Sequence, residues 1–243
     1  RPVSSAASDV YKRQIIDGMD QSKLTLPHFK LTPKDVSGFL ETKITGVLVH
    51  GKVFDCYISE PQVRYDSNLN LTCLHHTLVK LLDSYAPGTP PRVFHLQVDG
   101  GSENKNQWMI SYLSLLIELG IFDKIKMCFL PVGHTHEDID QAFSRIATYL
   151  NKHDALSYDE FVEAITRSIS HDTKKPNVIN VGQSFDFKAW LNSRLPNVES
   201  WTDNLCYRFS KGPDGTTQLH YKFLCNTEHY FCKDHTCVVK SFK

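Results

Sequence analysis

Apolar and polar positions follow two different periods along this chain, and the switches between them mark its elements. Ile44–His50 (ITGVLVH) and Val53–Ser59 (VFDCYIS) are β-branched, apolar runs joined through Gly51-Lys52, which predicts a hairpin. Leu71, Leu74, Leu78, Leu81 and Leu82 recur near the helical period, predicting a helix over Leu69–Tyr85. Pro87-Gly88-Thr89-Pro90-Pro91 stops it. Val93–Val98 reads as a strand, and Gln107–Leu119 as a helix closed by Gly120. Ile125–Leu130 reads as the next strand, followed by helices over Thr135–Leu150 and Tyr158–Ser170. Ile15-Ile16-Asp17 is the end of an earlier strand. The order is therefore β-β-β-α-β-α-β-α, an α/β pattern with a mixed sheet rather than the strict alternation of a doubly wound fold.

Both ends depart from this pattern. Residues 1–14 (RPVSSAASDVYKRQ) are rich in small residues and show no apolar period. They look like translated library adaptor and are set aside as a non-native tail. The native protein is then expected to extend further upstream. The core is expected over residues 15–171. Residues 172–243 form a C-terminal extension, partly β, in which Tyr207–Phe209 and Leu219–Leu224 flank the turn Gly212-Pro213-Asp214-Gly215. Its aromatic residues are expected to pack in a core. Cys225, His229, Cys232, His235 and Cys237 lack the paired spacing of a zinc motif.

Charge changes the picture little. Lys+Arg and Asp+Glu both number 27, which argues against a strongly basic nucleic-acid binder while allowing a local basic face. No apolar run reaches the length of a membrane span. Seven cysteines, an odd number without framework spacing, fit a reducing, intracellular compartment. Nothing in the pattern sets an oligomeric state.

The candidate chemistry is acidic. Asp99 ends the run VFHLQVD, where open α/β sheets place ligands, and Gly100-Gly101 after it allow close backbone approach. Asn104 and Lys105 open the next helix, whose N-terminus suits a phosphate. Asp17 ends the first apolar run. Asp20 competes with it, but alternation along a continuing strand would place the two on opposite faces. In the third cluster, Ile139, Ala142, Phe143, Ile146 and Leu150 form the buried stripe, and Asp140 falls with His136 on its edge. Glu137 turns towards solvent, and Asp138 pairs with Thr135 in a capping-box pattern. Carboxylates on three elements suit Mg²⁺ or Mn²⁺, and a neighbouring histidine shifts the preference towards Mn²⁺ or Zn²⁺.

This order of elements, with carboxylates at Asp17 (or Asp20), Asp99 and Asp140, resembles the RNase H-like fold of retroviral integrases and DDE transposases. The segments DGMDQSK, DGGSENKN and GHTHEDIDQAF also resemble an uncharacterised family of transposon-derived proteins with such a core. The resemblance covers roughly Ile15–Leu150. It implies metal-dependent phosphodiester cleavage or strand transfer on nucleic acid, DNA before RNA, and a nuclear location. Asp17, Asp99 and Asp140 would be both the catalytic residues and the metal ligands, with His134, His136, Glu137, Asn104 and Lys105 as auxiliaries. Two alternatives stand beside it. A domesticated domain can keep the fold as an interaction module without catalysis. His134-Thr135-His136-Glu137-Asp138 also resembles segments of binuclear metallohydrolases, whose further ligands are missing: Asp140 stands where one partner histidine is needed, and Asp17-Gly18-Met19 supplies no Asp-x-His.

Overall fold

The computed structural model describes residues 12–20, 24–31, 33–129, 138–169, 175–195, 204–222 and 237–238. It is α/β, with a mixed sheet. The first strand, β1, covers Lys12–Gly18, followed by the two-residue strands β2 (Thr25–Leu26) and β3 (Leu40–Glu41). The hairpin β4 (Lys43–Val49) and β5 (Val53–Ser59) leads into α1 (Ser67–Asp83). Next come β6 (Val93–Val98), α2 (Gln107–Glu118) and β7 (Lys124–Phe129), then α3 (Asp138–Leu150) and α4 (Tyr158–Ser168). The chain continues through β8 (Asn177–Val181), the short α5 (Phe187–Leu191), β9 (Cys206–Lys211), β10 (Thr217–Lys222) and β11 (Cys237–Val238).

The elements group into two units, each drawn from separated stretches. Arg1–Gln14, Leu78–Val132 and Asp186–Lys243 make the first; Ile15–Thr77 and Gly133–Phe185 make the second. β1 is divided, its first three residues falling in the first unit and the rest in the second.

In the second unit the strand order is β1-β4-β5-β8. β4 and β5 pair antiparallel from Lys43↔Ser59 to Val49↔Val53, and Gly51 takes φ 74° in the three-residue loop, a conformation glycine adopts without steric cost. β8 adds to β5 in parallel, with Asp55 opposite Asn177. From their second residue onward, both hairpin strands are buried on both faces. α3 turns Ile139, Phe143, Ile146 and Leu150 inward, each at most 7% exposed. Burying side chains of this size contributes up to about 1.5–3 kcal/mol each. Gly46 on β4 makes the close approach possible, because a Cβ there would lie 2.8 Å from Phe143 Cζ and 3.1 Å from Ile139 Cδ1.

In the first unit the order is β11-β10-β9-β7-β6, with the start of β1 next to β6. β6 and β7 are parallel, while β9 runs antiparallel to β7 and β10. The strands alternate. Phe94, Leu96, Ile125, Met127, Phe129, Tyr207, Phe209 and Leu219 are buried on one face, while the intervening residues are mostly polar and part-exposed. That is the signature of a sheet packed on one side. α2 covers the apolar face. Asn106 caps it by accepting from Met109 N at 2.9 Å, and Gly120 (φ 71°) ends it.

Several expectations change. Regular structure begins at Lys12, three residues before the expected boundary, and Arg13 donates from Nε to Gln97 Oε1 at 2.8 Å. The C-terminal residues do not form an appendage. β8 extends β5, and β9 and β10 extend β7, so they continue the sheet inside each unit. The physical reason is edge protection: without them β5 and β7 would present unpaired backbone. α3 is described from Asp138 on, so Thr135 as its cap lies outside the described residues. Cys206 is disulfide-bonded, whereas Cys56, Cys73 and Cys128 are free thiols.

Candidate carboxylate site

Asp99 follows the last residue of β6 and is half-buried. Its Oδ1 accepts a hydrogen bond from Asn104 Nδ2, and Asn104 itself is 1% exposed. The loop between them is a tight turn in which Asn104 N and Lys105 N both donate to Gly101 O, at 3.0 and 2.7 Å. A Cβ on Gly101 would strike the Glu103 carboxylate, whereas one on Gly100 would meet open space. That carboxylate is the far end of a flexible, part-exposed side chain, so a larger residue at Gly101 would displace Glu103 rather than the loop backbone. Asn106 Nδ2 donates to Ser102 O at 3.1 Å and Glu103 O at 2.8 Å, tying the loop to the helix it caps. Lys105 lies with its Nζ 5.2 Å from the centroid of the Phe129 ring, a cation–π placement.

In the second unit, Asp17 is half-buried near the end of β1 and accepts from Gly18 N at 2.8 Å. The strand stops at Gly18, so the exposed Asp20 lies beyond it and alternation along β1 does not reach it. Asp140 sits in the first turn of α3, half-buried beside the Ile139–Phe143 stripe, as the periodicity indicates. Asp138 is exposed, and its Oδ2 lies 3.1 Å from His50 Nδ1. Both line a cavity of about 250 Å³ with Leu48, Phe54, Gln141 and Arg145. His134, His136 and Glu137 lie outside the described residues, and with them the metallohydrolase reading. Among the described residues, no three His, Cys, Asp or Glu side chains stand close enough together to hold a metal ion.

One polar group is more deeply buried than any of these. Asp55, in the middle of β5, is 0% exposed. Its Oδ2 accepts from Thr77 Oγ1 at 2.8 Å, and its Oδ1 accepts from Asn177 Nδ2 at 2.9 Å. Thr77 Oγ1 lies 2.6 Å from Tyr57 Oη, which lies 2.9 Å from His76 Nδ1. With the Thr77 proton committed to Asp55, Thr77 Oγ1 is an acceptor for the Tyr57 hydroxyl, which also lies 3.5 Å from Asp55 Oδ2 as a donor. Burial pushes the Tyr57 hydroxyl well above its usual range; the Thr77 hydrogen bond works against this and the Asp55 charge adds to it. Burial likewise pushes the Cys56 and Cys73 thiols up, again with a contribution from Asp55. Sequence reasoning missed this network, although an aspartate inside VFDCYIS was its signal: a carboxylate in a buried strand requires partners.

Among the described residues no helix is long and apolar enough to cross a membrane. No curated protein matches the chain. A family model, described as a domain of unknown function, matches residues 33–227. That span takes in β4 to β10 and includes Asp99, Asp140 and the Asp55 network, so the chain belongs to the DUF7869 family.

Proposed function

We propose that this chain is an RNase H-like, transposon-derived domain that cleaves or transfers nucleic-acid phosphodiesters, DNA before RNA, through Asp17, Asp99 and Asp140. The observation that carries the reading is strand order. β1 lies next to β4 and β4 next to β5 in one unit, while the start of β1 lies next to β6 and β6 next to the parallel β7 in the other. A first strand beside a hairpin in one unit, and a pair of parallel strands linked through a helix in the other, are the parts that the resemblance implies. Supporting the reading, Asp17 lies near the end of β1, Asp99 follows β6 and Asp140 lies in the first turn of α3.

The donor chemistry suits a hard divalent cation, since carboxylate oxygens are what Mg²⁺ and Mn²⁺ prefer. When bound, such an ion would stabilise the attacking and leaving oxygens of an in-line displacement. The chain's own part is positional. Asn104 holds Oδ1 of Asp99 and so fixes the direction of Oδ2. Asn106 fixes the loop that carries Asn104. The stripe of α3 fixes the helix turn that carries Asp140. A nuclear location would follow from the same ancestry.

A second reading, a domain that keeps the fold as an interaction module without catalysis, is favoured by the absence of a three-donor group among the described residues. Titration with Mg²⁺ and Mn²⁺ followed by thermal unfolding separates the two, with Asp99→Asn beside the unaltered chain. Metal-dependent stabilisation that Asp99→Asn abolishes, with metal-dependent nicking of DNA, supports catalysis. No metal effect on either protein refutes it and leaves the module.

A further inference from the structure

The first unit's sheet has a second face, and its composition is unusual for a chain of zero net charge. Cross-strand register places His95 opposite Lys126, Lys126 opposite Arg208, and Arg208 opposite His220. One row therefore crosses β6, β7, β9 and β10 with a basic side chain at every position. The adjacent rows on this face add Lys124 and Lys222. Strand alternation puts no aspartate or glutamate on this face of the four strands. The electrostatics agree with the geometry. Burial depresses the protonation of His95, and the charges of Lys126 and Arg13 depress it further. Burial raises the Cys128 thiol, while Lys222, Lys126 and Arg13 pull it down.

Like charges directly opposite one another across strands are destabilising. Lys126 and Arg208 nevertheless stand side by side across β7 and β9. A further feature points to a ligand rather than to packing. Gln97, 7% exposed on the same face, gives its amide oxygen to Arg13, while its Nε2 has no hydrogen-bond partner among the described residues. A buried donor beside a cationic row matches an anionic oxygen.

We infer that this face, centred on the row His95–Lys126–Arg208–His220, binds the sugar–phosphate backbone of a nucleic acid. The inference rests on reading the chain as a nucleic-acid protein and adds to it a backbone surface separate from the carboxylates. Three strand spacings make the row about 14 Å long. At one phosphate per roughly 3.4 Å of axis on each strand of a duplex, it spans about four phosphates of one strand, with Lys126 and Arg208 at its centre supplying the permanent charges. Such contacts hold nucleic acid without reading its sequence.

The test is fluorescence anisotropy of the full chain with labelled 20-mers, single- and double-stranded, DNA and RNA. EDTA is present throughout, and salt is varied. Lys126→Gln, Arg208→Gln and the double variant are compared with the unaltered chain and with Asp99→Asn. Each ladder substitution is expected to weaken binding to every sequence alike and to lower the slope of log K against log salt by about 1. Thermal unfolding is expected to hold, because neither side chain belongs to the apolar core. Unchanged affinity in the double variant overturns the inference. So does lost affinity accompanied by a lowered unfolding temperature, which would make the row structural. An unaltered chain that binds none of the probes overturns both the inference and the function reading. Loss of binding in the ladder variants, with no metal effect in the earlier titration, sustains this surface and removes only the catalytic reading.

Discussion

Replacing Gly46 by alanine tests the seat of α3, and with it the placement of Asp140. A Cβ at this position would stand 2.8 Å from Cζ and 3.0 Å from Cε1 of Phe143, and 3.1 Å from Cδ1 of Ile139. Neither neighbour has an easy retreat. Ile139 is 1% exposed and Phe143 7%, and the Phe143 ring already lies 6.5 Å, centroid to centroid, from Phe54. The added methyl must therefore displace the helix or force a poor rotamer, and overpacking of this kind costs about 1–3 kcal/mol. For a chain of this length that lowers the unfolding temperature by about 2–12 °C. The assay is thermal and urea unfolding of Gly46→Ala, Phe143→Leu and the double variant. Phe143→Leu alone is expected to destabilise by leaving a void. In the double variant the two changes should compensate, giving a coupling of about 0.5–3 kcal/mol. If Gly46→Ala is neutral, or if the costs simply add, α3 does not press on β4 as described and the argument from the buried stripe to Asp140 fails.

Two further outcomes follow from the buried polar groups. Thr77→Val removes the donor to Asp55 and the acceptor for Tyr57 while keeping the shape of the side chain; it should cost about 1.5–3 kcal/mol in urea unfolding, and a cost under 0.5 would show that the network is satisfied in another way. His75 and His95 are both depressed from the ordinary 6.5, chiefly by burial, with help from His76 for the first and from Lys126 and Arg13 for the second. The unfolded chain therefore takes up protons before the folded one does, so the stability they contribute is complete above pH 6.5 and falls as pH drops below it. His75→Gln/His95→Gln should flatten the unfolding temperature between pH 7 and 5, and an unchanged slope would assign acid sensitivity to other groups.

The legible parts of this chain were those whose signals are local. The hairpin around Gly51, the leucine repeat of α1 and the span of α2 from Gln107 to its closing Gly120 are written in consecutive residues, and they fold as the pattern indicates. The α3 stripe was legible too, and it placed Asp140 correctly at the edge of the buried face. What escaped depends on partners distant in sequence. Asn177–Val181 (NVINV) is short, and its burial increases only towards Val181, so only its pairing with β5 makes it a strand. The Asp55 network joins residues 22 and 122 positions apart. The basic row was invisible for the same reason. KIKMCF and CYRFSK each alternate in the ordinary way, and only the register between them aligns Lys126 with Arg208. Asp138 has a contact of the same distant kind, since His50, far away in sequence, lies 3.1 Å from it, while its capping pattern with Thr135 lies outside the described residues.

The interleaving of the two units has a consequence for how the protein is made. β9, which closes the edge of β7, is complete only roughly 80 residues after β7 ends. At about 5–20 residues per second of synthesis, β7 leaves the ribosome and waits roughly 4–16 s with an unpaired edge. β5 faces a longer delay before β8 arrives, because more than a hundred residues separate them. Neither unit is a continuous stretch: the second is complete only at Phe185, and the first only once the residues from Asp186 on have been added. Truncation at the apparent end of the core, near residue 171, would make these waits permanent. It would leave two open strand edges, the template on which such chains join to one another. For this protein roughly the last 30% of the chain is what keeps both strand edges paired.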